Sequence, residues 1–187
     1  MILARLMLKR LIRHFAKAQA GVAAVEFALI VPFMLVVYLG TTEAGALITM
    51  DRKVQSVAGA VGDPVARENG TISSATLQDY FRASSGIMTP YTTTDIKQIV
   101  TSVQVKADGT TNVARSREYL NGVMSAGTKT SYTLPSDMTN IVKGSYVIVS
   151  EASYSYKPLY GFVFDKAVDL YRQSFYVPRF GEPIVLN

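Results

Sequence analysis

The sequence predicts an α+β protein: a long amino-terminal transmembrane α-helix followed by a small exported domain with an antiparallel β-sheet and a short helix. Three observations carry this reading. The stretch Gly21–Gly40, GVAAVEFALIVPFMLVVYLG, is apolar enough for a membrane, and no charge falls between Phe27 and Thr42. The residues ahead of it are basic. From Ile99 onward the hydrophobic period changes from that of a helix to two, the period of strands. The expected division is a basic leader over 1–21, a transmembrane and extended helix over 22–62, and an exported α+β domain over 63–187.

The leader carries Arg5, Lys9, Arg10, Arg13 and Lys17 and no acid. The formal charge of +5 and the pI near 9.4 would suit a nucleic-acid partner. However, the leader takes five of the 19 basic residues and none of the 14 acidic ones, so the remaining chain is neutral. The basic block therefore reads as a topology signal on the cytoplasmic side of a membrane helix, not as a nucleic-acid patch. The carboxyl-terminal domain then faces the periplasm or the exterior. There is no cysteine, which removes disulfides and thiolate metal sites. The only histidine, His14, lies in the leader, so the rest of the chain has no histidine for acid–base or triad chemistry. Neither a catalyst nor a cofactor or metal site is expected.

Val22–Thr42 would span about 31 Å as a helix, enough for a hydrocarbon core. Glu26 is the one carboxylate in the apolar run and needs a partner, a neutral form, or a route to the headgroups at the membrane edge. Ala24 and Ala28, then Gly40 and Ala44, place small residues four apart and allow close helix–helix approach. Pro32 removes one backbone hydrogen bond and should kink or loosen the helix. Beyond the membrane, Leu47, Met50, Val54 and Val57 recur at helical spacing and should lie on the domain, until Gly62-Asp63-Pro64 breaks or bends the helix.

In the domain, Asn69-Gly70 marks a turn. Ser73 or Ser74 caps a short helix whose Leu77, Tyr80 and Phe81 share a face and which ends near Ser85-Gly86. Ile99, Thr101, Val103 and Val105 alternate with Val100, Ser102, Gln104 and Lys106 as a half-buried strand, and Asp108-Gly109 turns the chain back into Thr111–Ala114. Residues 118–135 read as irregular, with a short helical turn at Tyr119–Met124, and Ser136–Ile141 as a further turn of helix. Tyr146–Tyr156 is the strongest strand, its first half apolar on both faces. Val168–Val177 is the last, stopped by Pro178. About four antiparallel strands result. The aromatic connector Leu159–Phe164 either packs into the domain's own core or touches a membrane surface or neighbouring subunit.

Taken together, the basic leader, Gly21, the Glu26-Phe27 pair five residues on, and the apolar helix resemble a type IV prepilin. Gly21-Val22-Ala23-Ala24-Val25-Glu26-Phe27-Ala28, Pro32 and Glu43-Ala44-Gly45 resemble more narrowly the TadE-like family of pseudopilins from tight-adherence (Tad) pilus systems. Tyr154-Ser155-Tyr156-Lys157-Pro158-Leu159 and Pro178-Arg179 extend the likeness to the far end. The resemblance implies that a prepilin peptidase cuts after Gly21, leaving Val22 as the new terminus with Glu26 and Phe27 as part of the processing site. It also implies that Glu26 meets the freed amine of a neighbouring subunit during assembly, and that Pro32 marks a loosened segment of the packed helix. The implied partners are the prepilin peptidase, other pilins and pseudopilins, the inner-membrane assembly platform and membrane lipid. The function so implied is that of a minor pseudopilin acting in pilus assembly or initiation. The alternative is a bitopic inner-membrane structural protein whose helix only anchors a periplasmic domain. A membrane-tethered hydrolase is disfavoured by the missing histidine.

Overall fold

A computed structural model describes residues 19–158, 161, 165–181 and 183–187. Most of the leader, with His14, and the aromatic connector apart from Gly161 lie outside the described residues. The described chain is α+β, as expected: one long helix, a five-stranded antiparallel sheet and a short helix.

The long helix α1 runs over Gln19–Arg67, 49 residues without interruption. Its two halves live in different surroundings. From Val22 to Tyr38 the large apolar side chains are exposed, whereas Met50, Val54, Val57, Ala58, Val61 and Val65 are buried against the domain. Their spacing of three, four and one places them on one stripe, with Leu47 partly buried beside it. Helix α1 therefore docks by its carboxyl-terminal half and projects by its amino-terminal half. The expected break at Gly62-Asp63-Pro64 does not occur. Pro64 lies inside the helix, one turn before its end, where packing against the sheet outweighs the lost hydrogen bond. Gly62 has another purpose. A Cβ there would lie 2.4 Å from Cε2 of Tyr176 and 2.9 Å from Cβ of Ser150, so its bare backbone lets helix and sheet touch. The helix stops at Arg67, ahead of Gly70, whose φ is +78°.

Two-residue strand β1 (Thr71–Ile72) leads to helix α2 (Ser74–Ser85), where the Ser73 hydroxyl accepts the Thr76 amide at 3.1 Å as N-cap. Leu77 and Phe81 are buried, and Tyr80 packs beside them while donating to Glu68 at 2.5 Å. Strands β2 (Lys97–Val105), β3 (Thr111–Leu120), β4 (Val123–Ala126), β5 (Tyr146–Tyr156) and β6 (Val168–Tyr176) form the sheet in the order β4-β3-β2-β5-β6. Helix α3 (Ser136–Ile141) precedes β5, and β7 (Val185–Leu186) closes the chain by pairing in parallel with β1.

Several local readings change. Strand β2 is central and buried on both faces, because β3 and β5 flank it and both sides of the sheet are covered. On the helix side, Val100 and Ile148 join Val61, Val65, Leu77 and Phe81. On the outer side, Val103, Val105, Val147 and Val149 lie with Leu134 and Val142. The region 118–135 is not simply irregular. Tyr119 and Leu120 belong to β3, and Asn121-Gly122, with φ of 53° and 79°, turns it into β4. Two consecutive positive φ values are what a two-residue hairpin demands, and Asn-Gly supplies them at least cost.

Buried polar groups tie the layers together. Gln98 accepts from Ser84 at 2.6 Å and donates to Ser85 at 2.7 Å, pinning the end of α2 to β2. Lys53 donates to the carbonyls of Ile87 and Thr89, each at 2.7 Å, and holds the chain after α2 against α1. On the outer face Glu151 is buried and paired with Lys129 at 3.1 Å, and it accepts from Tyr171. A carboxylate this deep in the sheet is costly to bury without such partners.

Candidate functional site

Gly21, Val22, Glu26, Phe27 and Pro32 all fall in the first third of α1, on the part that projects from the domain. All five are exposed. The Gly21–Val22 peptide lies inside regular helix, and a Cβ at Gly21 would meet nothing within 4 Å. Space around Gly21 within this chain is therefore open, and any demand for glycine there comes from outside the chain. Val22 and Glu26 are four residues apart, so they share a face one turn, about 6 Å, along the axis. Phe27 sits on an adjoining face and is 68% exposed. Pro32 is accommodated within continuous helix. The fold brings these residues into one line by helical geometry alone; no tertiary contact gathers them.

The surroundings of that line decide its chemistry. The most apolar 18-residue window of the helix has a mean hydropathy of 2.4 and none of it is buried within the protein. A core helix would be covered by its own domain, but this one is bare all round, which fits lipid or other helices. Gly21–Thr42 spans about 33 Å, the thickness of a hydrocarbon core with little to spare. Glu26 lies near the amino-terminal end of the bare segment, five residues after Gly21. An ionised carboxylate there needs a partner from another molecule, a freed terminal amine, or contact with headgroups.

At the other end of the bare segment the burial changes abruptly. Glu43 is the first charged residue after the apolar run and is only 3% exposed. It stands where α1 meets the ends of the domain's strands, beside Tyr154 and Tyr156. Sequence reasoning noted Glu43 only as part of a family likeness. The change from an uncharged run to a lone acid was the available sign that the chain leaves the membrane and meets its domain there.

The geometry defines a class of protein: an α+β domain carried by a single amino-terminal apolar helix that serves as a one-pass membrane anchor. The amino-terminal part of the chain is similar to a known family: the model described as TadE-like protein matches residues 21–62. That match begins at Gly21 and ends in the docked half of α1. No curated protein and no solved structure matches the chain significantly.

Proposed function

We propose that this chain is a minor pseudopilin of a Tad-type pilus, cut by a prepilin peptidase after Gly21 and acting in pilus assembly or initiation. The observation that carries the reading is the family match that starts at Gly21 and spans the exposed apolar helix with Glu26 inside it. The precursor sits in the inner membrane with the leader in the cytoplasm and the domain in the periplasm, and the mature subunit enters the pilus or its base. Its work is binding, not catalysis. Its partners are the peptidase, other pilins and pseudopilins, the assembly platform and lipid.

Glu26 supplies the physical link between processing and assembly. Cleavage creates an α-amine at Val22, and a carboxylate in the apolar layer of a neighbouring subunit is its natural partner. Removing one member of such a pair in a low-dielectric setting costs roughly 3–5 kcal/mol. Cells producing Glu26→Gln protein should therefore cleave it almost normally, to a new terminus reading VAAVEF, yet lose piliation and co-purification of partner pseudopilins. Normal pili and normal partner recovery would instead leave the helix as a plain anchor.

A further inference from the structure

A cavity of about 360 Å³ opens where α1 leaves its bare segment, between the helix, the chain after α2 and the end of β5. Its wall includes Glu43, Tyr91, Asp95, Tyr154, Tyr156 and Lys157. Tyr91 and Tyr156 meet edge to face, with ring centroids 6.3 Å apart and planes at 83°. The Tyr154 hydroxyl is 3.1 Å from that of Thr92, which donates to Asp95 at 2.9 Å, so rings and acid are held in one network. Burial raises the Tyr156 phenol above its ordinary range, and the negative charge of Glu43 adds to the effect. The wall is thus aromatic, with the Asp95 carboxylate and the Lys157 ammonium at its exposed rim.

We infer that this cavity is a site for the ammonium headgroup of a membrane phospholipid of the phosphatidylethanolamine type. Aromatic faces beside the Asp95 carboxylate attract an ammonium ion by its charge and by the ring quadrupoles, and they disfavour a headgroup whose only charge is negative. Exposed Lys157 lines the same cavity and can meet the phosphate that follows the ammonium, so both charges of a zwitterion are matched. Position selects lipid as the source. Thr42, the last residue of the uncharged run, also lines the cavity, which places it at the level of the headgroups on the side from which the domain projects. The inference rests on the one-pass anchor and not on a role in pili.

The test uses the full chain in nanodiscs containing equal phosphatidylethanolamine and phosphatidylglycerol, with native mass spectrometry counting the lipids retained on release. The wild type should keep phosphatidylethanolamine over phosphatidylglycerol by about tenfold. Tyr91→Leu and Asp95→Asn should bring the ratio close to one; Asp95 is exposed, so its replacement leaves folding intact. Excess soluble glycerophosphoethanolamine should not erase the wild-type preference. Equal retention of both lipids by the wild type, or an unchanged preference in Asp95→Asn, would overturn the inference. So would full displacement by the soluble ester, which would make the occupant a free ammonium compound. Failure of the Glu26 experiment would not alter any of these results.

Discussion

Gly62 shows how a single residue can act against its local preference. Alanine is favoured over glycine inside a helix by about 1 kcal/mol. Yet a methyl group at this position would enter the ring of Tyr176 at 2.4 and 2.6 Å and crowd Ser150. Overpacking of this kind costs about 1–3 kcal/mol, so the clash should win and Gly62→Ala should lower the thermal midpoint. The loss should shrink in a Tyr176→Ala background, which a double-mutant cycle would measure. A second expectation at this scale comes from Tyr132, whose phenol burial, reinforced by the charge of Glu151, pushes up to about 12. A phenol held protonated by the fold stabilises it fully below its unfolded value of about 10, and that contribution disappears as pH rises towards 12. Denaturant unfolding should therefore show stability falling over this alkaline range, with a smaller fall in Tyr132→Phe. An identical profile in both proteins would count against the argument.

Among the elements, α1 dominates because it belongs to two environments at once. Its buried side chains begin at Glu43 and continue through Ala66, whereas the large apolar residues from Val22 to Tyr38 are bare. The docked half buries about a turn-by-turn stripe of valine and methionine, each contributing roughly 1.5–3 kcal/mol. The bare half contributes nothing to the domain. A chain shortened to begin at Thr42 should accordingly be soluble and unfold at nearly the midpoint of the full chain in detergent. An insoluble or unfolded product would show that the membrane segment is also part of the domain's stability.

At the scale of the whole molecule, charge asymmetry about the apolar helix predicts one orientation. Five basic residues precede it, and the chain beyond the leader has 14 basic and 14 acidic residues. A reporter active only outside the cytoplasm should work when fused after Asn187 and be silent within the leader. Moving the five basic residues to the vicinity of Arg52 should weaken or scramble that pattern. A silent reporter after Asn187 in the unaltered protein would reverse the layout proposed for this chain.

By itself the sequence determined the membrane helix, the docked stripe of Met50, Val54 and Val57, the Ser73 cap, the turn at Asp108-Gly109 and the strand Tyr146–Tyr156. These features are local: each follows from periodicity, charge or turn chemistry within a few residues. The Asn121-Gly122 hairpin was equally local and legible, but it sits after a strand whose alternation is obscured by Arg115, Arg117 and Glu118, so it read as irregular. The residues proposed for processing and assembly lie on that one helix, where sequence spacing alone sets their positions. Tertiary structure alone decided the rest. It buries both faces of β2 by placing it third of five, carries α1 straight through Pro64 because packing outweighs one lost hydrogen bond, and requires glycine at 62 because Tyr176, more than a hundred residues later, lies against it. It also gathers Glu43, Tyr91 and Tyr156 around one cavity. No period or motif in one dimension encodes such meetings, because they depend on which distant surfaces the sheet order brings face to face.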